Sequence, residues 1–228
     1  MGALTQRCPK PLLVVGSRPI LEHILVGIRA SGIERAVIVV GYLGEQVVDY
    51  FDTGERLGLK LDYVWQTEPR GTAEALLLAH PLVREPFLLS WGDVLVSPDN
   101  YLELRKAFSR NPAAAWIAVN QVADPCAGAA VYLDAGRRVQ RIVEKPAPGT
   151  STTYWNNAGI GIYTPLIFHY AAAIPISPRG ERELPQALDQ MIAAGEPVYA
   201  MPIRGFWSDL GTPEALAIAR QHFADSSA

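Results

Sequence analysis

Cysteine is scarce in this chain: Cys8 and Cys126 are the only two among 228 residues, and neither sits in a Cys-x-x-Cys or Cys/His spacing. A disulfide framework and a zinc site are therefore excluded, and both thiols read as small packing residues. Long apolar runs are missing too. Residues 12–15 are too few to span a bilayer and no stretch of spanning length follows, so the expectation is a cytoplasmic protein without a membrane partner. Excess positive charge is absent, the net charge being −3, which removes the field that a nucleic-acid polymer would need. Gly-x-Ser-x-Gly, a Walker loop and Gly-x-Gly-x-x-Gly do not occur, nor does a fixed-period repeat. The histidines, His23, His80, His169 and His222, have no catalytic spacing and read as structural or surface groups.

What is present is a core-forming composition, 49% hydrophobic and 19% charged, enough for one domain over 1–228. Short β-branched runs alternate with amphipathic stretches over the first two thirds, the pattern of a parallel sheet with crossover helices. Helices are expected over 20–28, 46–51 and 71–79, and strands over 36–40, 61–65 and 87–90. After residue 111 the strands 116–119, 129–133 and 139–143 follow one another through short turns, so a mixed or antiparallel extension is expected there. A loop over 146–153, a strand over 157–163 and helices over 166–172, 183–194 and 212–223 complete an α/β, Rossmann-like arrangement.

Two aspartates stand in settings that suit a metal site. Asp93 follows Gly92 just past the strand 87–90, at the carboxyl end where open α/β sheets place ligands; the plain alternative is a turn aspartate. Asp209 precedes Thr212-Pro213, which supplies a helix cap by itself and leaves Asp209 for another role. Two carboxylates can hold magnesium. Lysine is rare, with Lys10, Lys60, Lys106 and Lys145 the whole set, and Lys10 and Lys145 both sit beside proline. A compact ammonium suits one crowded phosphate oxygen, although a solvated lysine is the alternative at Lys145. Gly71-Thr72 opens a helix whose N–H groups could hold an anion or a base edge, or simply be capped. Trp91 and Trp207 adjoin the aspartates as candidate pocket walls.

Pro9-Lys10-Pro11-Leu12-Leu13, Glu68-Pro69-Arg70-Gly71-Thr72-Ala73, Gly92-Asp93, Glu144-Lys145-Pro146, Asn157-Ala158-Gly159-Ile160 and residues 207–213, in this order, resemble the sugar-1-phosphate nucleotidyltransferases over nearly the whole chain. Each motif is weak alone; the ordered set is specific. The short length is similar to single-domain members that make nucleotide sugars for cell-envelope polysaccharide, from sugars such as mannose, heptose, glucose or N-acetylmuramate. The resemblance implies a Rossmann-like nucleotidyltransferase fold, a nucleoside triphosphate and a sugar 1-phosphate as partners, and Mg2+ as cofactor; a homo-oligomer is compatible with it. It further implies that Asp93 and Asp209 bind magnesium, that Lys10 contacts nucleotide phosphates and that Lys145 faces the sugar phosphate. Glu144, Asn157 and Gly128 would hold sugar hydroxyls, with Gln66, Gly71 and Thr72 toward the base.

One departure stands out. The family opens with a strand and a Gly-x-Gly-Thr/Ser-Arg loop, and neither precedes Lys10 here. The expectation is that Met1 is an internal residue of a longer protein and that in-frame coding DNA upstream encodes that strand and loop; in that case the 228-residue form should release little pyrophosphate while the extended form is active. A nucleotide-sugar-binding regulatory homologue without turnover is the competing reading.

Overall fold

The computed structural model describes residues 2–177 and 179–225. In chain order its strands are β1 (Val14–Val15), β2 (Arg18–Pro19), β3 (Arg35–Val40), β4 (Lys60–Trp65), β5 (Phe87–Ser90), β6 (Val94–Val96), β7 (Ala115–Gln121), β8 (Ala129–Leu133), β9 (Val139–Glu144), β10 (Trp155–Tyr163), β11 (Val198–Pro202) and β12 (Trp207–Asp209). The helices are α1 (Ile20–Ala30), α2 (Gly44–Phe51), α3 (Thr72–Ala79), α4 (Asp99–Arg110), α5 (Leu166–Ala173), α6 (Leu184–Ala193) and α7 (Pro213–Asp225). The described residues gather into two compact units, one drawn from Met1–Thr67, Ser90–Leu102 and Arg204–Ala228, the other from Glu68–Leu89 and Glu103–Ile203.

In the first unit the apolar spacing of α1 does what its period requires: Ile20, Leu21, Ile24, Leu25 and Ile28 are all buried on one stripe. β3 and β4 pair in parallel from Arg35↔Lys60 to Val40↔Trp65, with α2 as part of the connection between them. That connection turns at Gly54, whose φ is +83° and where an added Cβ would lie 2.4 Å from Leu61 Cγ, so only glycine fits. Among the described residues β3 pairs with β4 alone. β12 pairs antiparallel with β6, the three-residue strand Val-Leu-Val that is buried throughout. A buried carboxylate, Glu22, ties α1 to the α2 region: it accepts from Tyr50 Oη and Arg56 Nη2, each at 3.0 Å. The Arg56 bond, working against desolvation by burial, holds its carboxyl below the usual range.

The second unit carries a six-stranded sheet in the order β11-β7-β10-β8-β9, with β5 also on β10. β11 runs parallel to β7, and β7–β10, β10–β8 and β8–β9 are antiparallel, which is the mixed extension expected after residue 111. Arg138 bridges Tyr199, and Ala200 donates its N–H to the Arg137 carbonyl at 2.9 Å, so the two outer strands of this path meet. Helices α3, α5 and α6 cover the sheet with Leu76, Ile167, Phe168, Leu184, Leu188 and Met191, packed with Ile117, Val119 and Val131. Each such fully buried aliphatic side chain contributes about 1.5–3 kcal/mol. The outer edge of β9 is covered as well, because the Asp189 carboxylate accepts the Ile142 N–H at 2.8 Å.

Candidate active site

Lys10 stands in a tight turn, Lys10–Leu12, that Pro9 enters in an extended conformation and that closes through Leu13 N–H to the Lys10 carbonyl at 3.0 Å. The turn holds its ammonium 3.0 Å from Asp93 Oδ2, with both side chains about one-third exposed. Asp93 sits between β5 and β6, and its carbonyl accepts the Leu210 N–H at 2.9 Å. Because Asp209 pairs with Val94 in the β12–β6 register, the two predicted metal aspartates occupy neighbouring rungs of one ladder. At the start of α7, Thr212 Oγ1 takes the Ala215 N–H at 3.2 Å and Pro213 opens the helix.

A cavity of about 370 Å³ lies beside this pair, with Lys10, Leu21, Val40, Gly41, Gly44 and Gly92 in its walls. Gln66 adjoins it, since its N–H donates to the Val40 carbonyl at 2.8 Å and a Cβ on Gly41 would come within 3.2 Å of the Gln66 carbonyl. Neither Trp91 nor Trp207 is among the lining residues; Trp207 instead pairs with Val96 in the ladder. The tryptophan-wall expectation is therefore corrected for this cavity: the aromatic residue in its lining is Tyr42, beside Pro9, Pro11, aliphatic side chains and glycine.

The second unit brings together another set. Ala129 pairs with Glu144, and the next residue, Lys145, donates its N–H to the Gly128 carbonyl at 2.7 Å. Lys145 has φ +41°, a left-handed conformation that costs a non-glycine residue free energy and that clusters at functional sites. Gly128 is compelled by Asn156: a Cβ there would lie 2.2 Å from Asn156 Oδ1. Asn156 in turn accepts the Ala129 N–H at 3.2 Å and donates to Asn120 Oδ1 and the Asn157 carbonyl. Asn157 lies where the β10–β7 register shifts, and its Oδ1 accepts the Gly159 N–H at 3.1 Å. Such bulges re-aim side chains beside sites.

Glu144 is largely buried, and desolvation pushes its carboxyl above the usual range against the opposing pull of Lys145 and Arg179. Arg179 reaches Glu144 Oε1 at 3.3 Å and also pairs with Glu183. The sequence reading did not single out Asn156 or Arg179. The Asn156-Asn157 pair inside a nine-residue strand that is otherwise mostly apolar was a readable signal, whereas nothing local marks Arg179.

Gly71 and Thr72 stand against the segment at residues 182–184. Arg182 presses its backbone on Gly71, where a Cβ would lie 2.3 Å from the Arg182 carbonyl. That carbonyl accepts the Ala73 N–H at 3.0 Å, and Thr72 Oγ1 accepts the Leu184 N–H at 2.9 Å, capping α6. One N–H group at the start of α3, that of Ala73, is thus engaged by a backbone carbonyl, while the Thr72 hydroxyl caps the neighbouring α6 and not its own helix.

The model of the nucleotidyl transferase family matches residues 2–226. The chain belongs to that family. The match takes in both units. Among curated relatives, the UTP–glucose-1-phosphate uridylyltransferase AglF of Haloferax volcanii is 32% identical over 227 residues, covering 98% of this chain and 91% of that protein. The bifunctional protein GlmU of Methanococcus maripaludis is 30% identical over 222 residues, covering 96% of this chain and 50% of its own length; the chain spans about half of such relatives. A solved UDP-glucose pyrophosphorylase with UDP-glucose superposes with TM-score 0.90 at 22% identity, covering 99% of this chain and 94% of that one, a likeness of fold. Family membership and the mixed α/β architecture agree with the resemblance drawn from the six motifs.

Proposed function

We propose that this chain transfers a nucleotidyl group from a nucleoside triphosphate to a sugar 1-phosphate, giving a nucleoside-diphosphate sugar and pyrophosphate. The observation that carries the reading is the Lys10–Asp93 pair at 3.0 Å with Asp209 on the adjoining rung, inside a family match that runs from residue 2 to 226.

In this reading an oxygen of the sugar phosphate, already anionic at neutral pH, attacks the α-phosphorus. A new oxygen–phosphorus bond forms, the bond to the bridging oxygen of the β-phosphate breaks, and pyrophosphate leaves with the electron pair. No general base is needed. Lys10 neutralises charge on the triphosphate and keeps Asp93 oriented; Lys145, fixed through its N–H to Gly128, faces the sugar phosphate. Glu144 and Asn157 accept from or donate to sugar hydroxyls, Gly128 gives room for that contact, and Gln66 and Gly71 lie toward the base. Arg179 holds the Glu144 carboxylate in place.

Asp93 and Asp209 would hold a divalent cation. Their hard oxygen donors suit magnesium, and among the described residues no group of three or more His, Cys, Asp or Glu gathers, so substrate oxygens and water would complete the shell. Such an ion, when bound, stabilises charge on the phosphates. No helix among the described residues is long and apolar enough to cross a membrane; a cytoplasmic enzyme supplying nucleotide sugars for cell-envelope polysaccharide is the setting that fits the motif resemblance.

Single-turnover pyrophosphate release, at high protein concentration with Mg2+, tests this across the common triphosphates and hexose 1-phosphates. Release requiring both substrates is expected. Triphosphate binding without release under every pairing would overturn the transfer reading.

A further inference from the structure

We propose a second ligand site, for a phosphate ester of a sugar, in the cavity at the turn of the β8–β9 hairpin. The cavity measures about 400 Å³ and is lined by Tyr132, Arg137, Thr152, Thr153, Trp155 and Pro202, among others. That volume falls in the range of about 300–1,000 Å³ that small-molecule sites occupy. It lies at the far end of β8 from the Ala129↔Glu144 pair, four residues or about 13 Å along the strand, so it is separate from the Lys145 group.

Arg137 is the residue that needs explaining. Its φ is +63° although Gly136 stands next to it, and a left-handed arginine is retained only where the surroundings over-determine it. The turn and β11 supply those surroundings: its N–H donates to the Asp134 carbonyl at 3.1 Å and its own carbonyl accepts from the Ala200 N–H at 2.9 Å. The backbone is therefore held in place while the guanidinium has no hydrogen-bond or ion-pair partner among the described residues. Its neighbours are engaged. Arg138 Nη2 donates to the Gly195 carbonyl at 3.0 Å, and Arg141 lies 5.9 Å from the centre of the Tyr132 ring. The nearby Asp134 carboxylate is occupied by the N–H groups of Gly136 and Arg138 and by Gln140 Nε2.

A partnerless guanidinium fork matches two oxygens of a phosphate. Tyr132 and Trp155 contribute aromatic rings to the lining and Thr152 a hydroxyl, a mixture that suits a sugar ring and its hydroxyls. Thr152 and Thr153 also belong to the segment that runs from Lys145-Pro146 to Trp155. A ligand held here would grip the loop that follows Lys145, and this gives the site a means of adjusting the transferase centre.

The test is calorimetric titration of glucose 1-phosphate, UDP-glucose and inorganic phosphate into the Lys145→Ala chain, with and without Arg137→Gly. Glycine tolerates the left-handed turn, so the second variant should melt no lower than its parent while losing the fork; if it does melt lower, Arg137→Gln replaces it in the same comparison. The expected result is saturable binding of at least one ester in Lys145→Ala, weakened tenfold or more when Arg137 is replaced. Tighter glucose 1-phosphate assigns the site to the substrate class, and tighter UDP-glucose assigns it to the product class. Binding of both esters that ignores Arg137, absence of saturable binding, or inorganic phosphate binding as tightly as the esters would each overturn the proposal. None of these outcomes depends on pyrophosphate release, so they are separable from a failure of the transferase reading.

Discussion

The amide of Leu210 donates to the carbonyl of Asp93 at 2.9 Å. This bond extends the β12–β6 ladder by one rung and brings Asp209, from near the end of the chain, beside Asp93 in its middle. Backbone pairing, and not side-chain packing, is what brings these two residues together.

If the two aspartates serve one cation, their losses should not add. Asp93→Asn and Asp209→Asn are each expected to lower magnesium-dependent pyrophosphate release by about 100-fold, and the double variant should be little worse than either single one. Steady-state assays alongside Mn2+ binding by electron paramagnetic resonance check this. Strictly multiplicative losses with Mn2+ binding unchanged would separate the two residues.

Lys145→Ala should reduce turnover by about 100-fold while leaving triphosphate affinity within a few-fold, because in the proposed mechanism the lysine acts on the sugar phosphate. Calorimetry with the triphosphate alone, set beside turnover, distinguishes this from general damage. Equal losses in both would place Lys145 on the nucleotide instead.

Gly128→Ala drives a methyl group to 2.2 Å from Asn156 Oδ1, against a side chain that already holds Ala129, Asn120 and Asn157. A loss of about 1–3 kcal/mol is expected from the forced shift, measured by urea unfolding. The same substitution made in an Asn156→Ala background should cost less, since the obstruction is gone.

Glu144 makes stability depend on pH. Its folded-state pKa is raised above the ordinary value of 4.5, chiefly by burial. The stabilisation that follows is fully present below that ordinary value and is lost as pH rises through the raised one. At neutral pH the buried carboxylate is therefore a cost. Unfolding curves of Glu144→Gln should show it gaining on the parent as pH climbs from about 4 to neutrality; a gain that instead grows as pH falls would contradict the sign.

Elements with a strong local period are legible in the sequence alone. The stripe of α1 and the apolar run of β3 are dictated by neighbours three to four, or two, residues apart, and the structure keeps them. α4 was not anticipated, although Asp99 in its first turn and Arg110 in its last are the charges a helix dipole favours. β11 was missed because Pro202 ends it, and β6 and β12 because three residues carry too little period to register.

The residue types of the proposed site, Lys10, Asp93, Lys145 and Asp209 beside glycine and proline, were determined by the sequence itself, because turns and strand ends leave local marks. Which of them meet was decided only by tertiary structure. Lys10 reaches Asp93, and Asp209 joins that ladder, through pairings far apart in sequence. Arg179 covers Glu144, Asn156 compels Gly128, and Arg182 takes the N–H of Ala73. Register and loop closure set these contacts. Both are properties of the whole folded chain, since a strand's own residues specify which face it buries but not which partner lies beside it.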